Sequence, residues 1–207
     1  MGRRAVFTGR MPRLSSIGGR IWACFTVASV VAVAVALAAC GSGSSGAGGG
    51  APDYKRALAG APKPLARLYD QANQLLPGGT AAFQRRLAEL RGHPVVVNKW
   101  ASWCGPCREE FPWFQDLSAK LGKRIAFLGV DSNDSAAAAH TFLGELPVPY
   151  PSYSDPDQQI ARYLEATIGF PATIFYDSRG ESVYVKQGQY ASRSELAADI
   201  RHHARGG

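Results

Sequence analysis

Cysteine is scarce in this chain, which limits what its cysteines can do. Only four of the 207 residues are cysteine and four are histidine, so the chain lacks the many cysteine pairs that stabilise small exported domains. Two residues separate Cys104 from Cys107, and no second Cys or His pair stands at the ligand spacing that a zinc site needs. The spacing therefore predicts a redox-active dithiol, and we expect no metal and no other cofactor.

Acidic residues are absent from residues 1–39, which contain five arginines and end in an uncharged, mostly apolar run over residues 21–39. A basic segment followed by an apolar run and small residues is typical of a secretory signal. The run ends in Leu-Ala-Ala-Cys40, which resembles the lipobox of bacterial lipoproteins. This resemblance implies cleavage before Cys40 and a lipid on its sulfur. The alternative is an uncleaved membrane anchor, because the run approaches the length of about 20 residues that a bilayer needs.

Both interpretations put the rest of the chain outside the cytoplasm and tether it to the bacterial cell membrane, whether translation starts at Met1 or at Met11. Removing the five arginines lowers the formal net charge from +7 to +2, so we do not expect nucleic acid as a partner. With Cys24 removed and Cys40 lipidated, Cys104 and Cys107 would be the only free thiols. The loop that they close is too short to stabilise a fold much, so we expect this pair to serve chemistry.

The chain after the signal divides by composition into three parts. Gly and Ser dominate residues 40–52, as in a flexible tether. Residues 53–92 predict a helical extension, with one helix running from Leu65 to Leu76 and a second that Thr80 begins and Gly92 ends.

Residues 93–207 alternate strand-like and helix-like segments, which predicts one α/β domain with a central mixed β-sheet flanked by helices. The last two strands would pair as an antiparallel hairpin around Asp177-Ser178-Arg179-Gly180. The predicted strands are Val95–Trp100, Ile125–Asp131, Thr173–Asp177 and Ser182–Gln187, and the predicted helices are Cys107–Leu121, Asp134–Leu146, Asp157–Glu165 and Ser192–His203.

Three motifs carry a resemblance to a known family. Trp100–Pro112 matches W-x-x-W-C-x-x-C-x-x-E-x-P, Gly169–Thr173 reads G-F-P-A-T, and Asp177–Gly180 matches D-x-x-G. With these motifs the chain resembles the thioredoxin superfamily, and within it the extracytoplasmic, membrane-tethered TlpA/ResA-like thiol:disulfide oxidoreductases. The resemblance covers most of residues 91–205 and implies a thioredoxin-like fold. The helical extension departs from this pattern, for which we expect a β-rich lead-in.

The active-site residues follow from the motifs and from helix physics. Cys104 should lie at a helix N-terminus, where unpaired backbone N–H groups and the helix dipole favour a thiolate, so we expect it to be the nucleophile. Cys107, one turn deeper, would resolve the mixed disulfide. We expect Trp103 to cover the pair and to offer the partner an apolar surface. The resemblance implies a cis-proline loop at Phe170-Pro171 that faces the cysteines and holds the substrate chain.

A proton-transfer group is also expected. Classical thioredoxins have a buried aspartate six residues before the first cysteine, but this chain has Asn98 there. Glu110 matches the glutamate of the resembled pattern and shares a helical face with Cys107, so we expect it to transfer a proton or tune a pKa. The alternative is a solvated carboxylate that is favoured near a helix N-terminus.

The resemblance implies a reductase that acts on disulfides of exported proteins, such as oxidised apocytochrome c, with electrons from a membrane thiol donor. Two alternatives stay open. The same dithiol could donate disulfides as an oxidant, or Cys104 and Cys107 could bind Cu(I) in a copper chaperone on the same fold, because soft thiolates suit Cu(I).

Overall fold

The sheet is built around a strand that is buried along its whole length, Val95–Trp100, in a computed structural model that describes residues 53–204. The helices are α1 (Tyr54–Leu58), α2 (Lys63–Tyr69), α3 (Gly79–Glu89), α4 (Gly105–Leu121), α5 (Ala136–Glu145), α6 (Gln159–Tyr163) and α7 (Arg193–His203). The strands are β1 (Leu75–Leu76), β2 (Val95–Trp100), β3 (Ala126–Ser132), β4 (Ser152–Asp155), β5 (Ala172–Tyr176) and β6 (Ser182–Gln187).

The six strands lie in the order β1-β4-β3-β2-β5-β6. β1, β4, β3 and β2 are parallel to one another, whereas β5 is antiparallel to β2 and β6 is antiparallel to β5. The predicted mixed sheet and the terminal hairpin are therefore confirmed. This arrangement is the thioredoxin-like fold, and it puts the carboxyl end of β2 in the middle of one sheet edge.

Helices cover both faces of the sheet, which explains why the central strands are rich in Val, Leu and Phe and are buried throughout. α4, α5 and α7 enclose one core, to which β2 contributes Val96 and Trp100. α2, α3 and α6 enclose the other core, which takes Val95 and Val97 from the opposite side of the same strand. The period-two alternation of β2 thus assigns its side chains to two separate cores.

Two features of residues 53–92 differ from the sequence-based predictions. The helix expected to reach Leu76 ends at Tyr69, and Leu75–Leu76 pairs with β4 as the edge strand β1. A turn follows the helix, and within it Asn73 has φ +60° and its side-chain amide donates to Leu143 O at 3.0 Å. The expectation that Thr80 begins the second helix was also wrong, since α3 is preceded by Gly78, whose φ of +109° few other residues adopt.

Strand β4 was not predicted, because Ser-Tyr-Ser-Asp lacks the apolar alternation typical of a strand. Its backbone is nevertheless paired on both sides, with β1 and with β3. Residues 53–92 pack directly onto the sheet through the fully buried side chains of Leu65, Leu68 and Phe83. Within residues 53–204, no helix is both long and apolar enough to span a bilayer.

Candidate active site

The two cysteines lie where β2 gives way to α4. Cys104 is the N-cap residue of α4, and its Sγ accepts a hydrogen bond from the backbone N–H of Cys107 at 3.1 Å. The two form a disulfide, with their Cα atoms 5.2 Å apart. Cys104 is 4% exposed and Cys107 only 1%. Cys104 is therefore at the helix N-terminus and Cys107 is the less exposed of the two, which are the positions predicted for them.

The turn before Cys104 is fixed by the loop that follows β3. The backbone N–H of Ser102 donates to the carboxylate of Asp134 at 2.5 Å, and the indole N–H of Trp103 donates to Asn133 O at 2.9 Å. Cys104 N also donates to Ala101 O at 3.1 Å. These bonds set the direction in which the chain enters α4 and hence the position of Cys104.

An apolar surface adjoins the disulfide. Trp103 is 56% exposed, and its ring meets that of Phe170 edge-to-face with centroids 4.8 Å apart. Phe170 packs against the core cluster that contains both cysteines, and the Phe170–Pro171 peptide bond is cis, as the resemblance implied. Ile168, in the same loop, is 84% exposed. Sequence reasoning missed Ile168, although an isoleucine just before the G-F-P motif was a visible signal.

Glu110 lies on the buried side of α4 and is 1% exposed. Its Oε1 accepts a hydrogen bond from the backbone N–H of Tyr190, and its Oε2 has no hydrogen-bond partner among the described residues. Burial raises the pKa of Glu110 to about 7, against the opposing effects of the Tyr190 N–H and the Lys186 charge. The alternative of a solvated carboxylate is wrong for Glu110, whereas its neighbour Glu109 is exposed.

Sequence reasoning also missed a pair of carboxyl groups behind the active-site turn. Asp131 is 1% exposed, and no described residue donates a hydrogen bond to its oxygens. Burial, and then the nearby charge of Asp134, raise the pKa of Asp131 to about 8. Although burial opposes it, hydrogen bonds from Ser102 keep the pKa of Asp134 below its usual range. The sequence held no signal for this pair, because Asp131 was predicted only as the last residue of an apolar strand.

The described residues contain no group of three or more His, Cys, Asp or Glu side chains placed to hold a metal ion. Asn98 is buried on β2 opposite Thr173, as expected for the residue that replaces the thioredoxin aspartate. Cys40, the predicted lipidation site, and the predicted signal lie outside the described residues.

The fold and this site agree with comparisons with known proteins. The sequence pattern of the Redoxin family matches residues 72–200, more than half of the chain. The chain belongs to the Redoxin family. This Redoxin is 37% identical over 94 residues to the thiol:disulfide interchange protein DsbE of Pseudomonas fluorescens biotype C, which covers 45% of the chain and 51% of that relative. It is 28% identical over 103 residues to the thiol-disulfide oxidoreductase ResA of Bacillus subtilis, covering 49% of the chain and 57% of ResA.

Among solved structures, the Redoxin chain resembles a putative DsbE from Chlorobium tepidum, with a TM-score of 0.52 and 28% identity over 57% of this chain and 85% of that one. The chain is therefore a Redoxin of the DsbE/ResA type, a group named for thiol-disulfide exchange. The match spans about half the length of these two curated relatives.

Proposed function

We propose that this Redoxin is a membrane-tethered, extracytoplasmic thiol:disulfide oxidoreductase that reduces disulfides in exported proteins. The observation that carries the proposal is the Cys104–Cys107 pair at the N-terminus of α4, next to the loop that contains the cis Phe170–Pro171 bond. The names of DsbE and ResA support the chemistry. Oxidised apocytochrome c is the substrate that the family resemblance favours.

The reaction begins from the reduced dithiol. The Cys104 thiolate attacks one sulfur of the substrate disulfide, forms a mixed disulfide and releases the other substrate sulfur as a thiolate, which takes up a proton. The N-terminal N–H groups of α4 favour the thiolate over the thiol, because they supply hydrogen bonds and positive potential. The N–H of Cys107, 3.1 Å from the Cys104 sulfur, is the donor best placed for this task.

Cys107 then attacks the Cys104 sulfur, which reforms the enzyme disulfide and releases the second substrate thiolate. Two electrons have passed to the substrate, and the Cys107 thiol must lose its proton in this step. Glu110 is the proposed acceptor, because it lies one helical turn from Cys107 and is buried. A carboxyl group with a pKa of about 7 exchanges protons near neutral pH.

Substrate binding is assigned to Trp103, Phe170 and Pro171. The exposed indole of Trp103 and the ring of Phe170 form one apolar surface beside the disulfide. An extended substrate segment lying on this surface would bring its own disulfide to Cys104, the cysteine nearer the solvent.

The proposal also includes the location of the protein and its attachment to the membrane. Residues 1–39 would be the lipoprotein signal, residues 40–52 the tether, residues 53–92 the extension and residues 93–207 the thioredoxin-like domain. The lipid on Cys40 would hold the protein at the membrane, near a membrane thiol that supplies electrons. Radiolabelled palmitate should label the wild-type chain but not a Cys40→Ala variant, and labelling of both chains would refute lipidation at Cys40.

The direct test is the reduction potential of the full chain, measured by equilibration with glutathione and dithiothreitol buffers. A reductase should have a value near or below that of thioredoxin, about −270 mV. A value near that of a strong oxidant, about −120 mV, would make the protein a disulfide donor instead. Cys107→Ser is the control, because it should trap the mixed disulfide with substrate. Failure of the wild type to form any disulfide would favour the Cu(I) alternative.

A further inference from the structure

A lysine is buried at the centre of the sheet, directly beneath the loop of residues 166–171, which contains the cis Phe170–Pro171 bond and is called the substrate loop below. Lys99 on β2 has no exposed surface, although lysine is almost never fully buried without partners. Its ammonium group donates to the carbonyl oxygens of Ala166 at 2.6 Å and of Gly169 at 2.8 Å. Both acceptors belong to the segment that leads into the cis Phe170–Pro171 bond.

A third contact joins the lysine to the active-site surface. The Lys99 nitrogen lies 3.7 Å from the centre of the Phe170 ring, within the range of a cation–π interaction. The opposite side of the surface is formed by Trp103, whose ring is 4.8 Å from that of Phe170. Lys99 therefore contacts the substrate loop from below at the point where Trp103 meets it beside the disulfide.

The most exposed part of the substrate loop lies between the two residues whose carbonyl groups bind Lys99. Because the carbonyl groups of Ala166 and Gly169 converge on one nitrogen, the two residues between them are turned outward. One of these is Ile168, which is 84% exposed, the largest exposed fraction among the large hydrophobic side chains of residues 53–204.

The burial of Lys99 is costly for the fold. Loss of solvation lowers the pKa of Lys99 to about 8, with the charge of Asp155 opposing the shift. A leucine or phenylalanine at this place would join the neighbouring apolar core without that cost. The contacts of the ammonium group therefore point to a role in arranging the loop.

We propose that Lys99 is a positioning residue that fixes the 166–171 loop, so that Ile168 and Phe170 receive an apolar side chain next to the cysteine of an extended polypeptide substrate. This inference rests on the proposed function and adds a specificity element to it. Small disulfides such as oxidised glutathione, which have no apolar side chains beside the cysteine, should not depend on Lys99 or on Ile168.

The test compares Lys99→Met with Lys123→Met, a matched control because Lys123 is exposed and follows the C-terminal end of α4, whereas Cys104 is at the N-terminal end of that helix. The kcat and KM of the full chain are measured with a disulfide-bonded peptide that has apolar residues beside its cysteines, and with oxidised glutathione. We expect Lys99→Met to raise KM for the peptide about tenfold, which corresponds to about 1.4 kcal/mol. Its kcat and its reaction with glutathione should stay within about twofold, as should every value for Lys123→Met.

A purely structural lysine would give a different result. It would lower the thermal stability and change the reactions with both disulfides alike, and this outcome would overturn the proposal. Equal KM values for wild type and a folded Lys99→Met variant would overturn it as well.

Ile168→Ser provides a second test that does not depend on the folding of Lys99→Met. Ile168 is largely exposed, so the variant should fold, raise KM for the peptide several-fold and leave the glutathione reaction unchanged. An unchanged KM for the peptide would refute the loop's part in recognition. A wild-type protein that reduces neither disulfide would refute the proposed function itself, which distinguishes the two failures.

Discussion

Protonation of Glu110 should make the stability of the oxidised protein depend on pH. Burial raises its pKa from 4.5 to about 7, so between these pH values the folded protein holds a proton that the unfolded chain has released. The resulting contribution to stability is complete below the unfolded pKa of 4.5 and is lost as the pH rises through the folded value.

The magnitude follows from the size of the shift. One pKa unit corresponds to about 1.4 kcal/mol. Stability falls only while the pH lies between the unfolded and the folded pKa of Glu110, and about two units of that interval lie above about pH 5. Between about pH 5 and pH 8, the titration of Glu110 should therefore lower the free energy of unfolding by about 3 kcal/mol. Glu110→Gln removes the titration but keeps a side-chain carbonyl oxygen that can accept the Tyr190 N–H. The variant should therefore lose about 3 kcal/mol less than wild type between about pH 5 and pH 8.

The assay is urea unfolding of the oxidised full chain at the two pH values, by tryptophan fluorescence. Glu109→Gln is the matched control, because it removes the neighbouring exposed carboxylate, which bonds to Gln189 at 2.6 Å. The control should retain the pH dependence of wild type. If Glu110→Gln also retains it, the buried proton is not on Glu110 and its assignment as the proton acceptor for Cys107 loses its basis.

Four further substitutions test the scaffold around the site. The pKa of Asp131 is raised to about 8, so the wild type should lose about 4 kcal/mol of unfolding free energy through this group between about pH 5 and pH 9. Asp131→Asn should remove this part of the pH dependence, and an unchanged pH profile would contradict the prediction. The buried carboxylate of Asp155 accepts hydrogen bonds from two backbone N–H groups of α6 and from a serine hydroxyl. Asp155→Ala should therefore lower the free energy of unfolding by about 3 kcal/mol. A loss under about 1 kcal/mol would refute the capping role of Asp155. Gly129→Ala should lower the free energy of unfolding by about 1–3 kcal/mol in chemical unfolding, because its new methyl group would overlap the Ser152 hydroxyl. Gly144→Ala in α5 meets open space and should instead raise the free energy of unfolding by up to about 1 kcal/mol. Equal effects of the two substitutions would show that the overlap does not matter.

The strands that carry apolar runs could be predicted from the sequence, because strong local patterns survive in the tertiary structure. Val95–Trp100 and Ser182–Gln187 have the predicted bounds, and the remaining predicted strands shift by one residue. β1 and β4 could not be predicted, since each is short and is stabilised by pairing with strands that are distant in sequence. The local spacing of Leu65 to Leu76 favoured a helix, and the turn at Asn73 overrides it through hydrogen bonds to residues about 70 positions away.

The sequence by itself determined the reactive pair, since the spacing of Cys104 and Cys107 and the helix that begins between them are local properties. Only the tertiary structure decided the environment that acts on this chemistry. The buried carboxylate of Glu110 accepts a hydrogen bond from the backbone N–H of Tyr190, 80 residues later, and Lys99 reaches carbonyl groups 67 and 70 residues away. Burial and hydrogen bonding depend on which distant segments meet, so the pKa of Glu110 and the hold of Lys99 on the substrate loop follow from the packing of the sheet and cannot be read from local spacing.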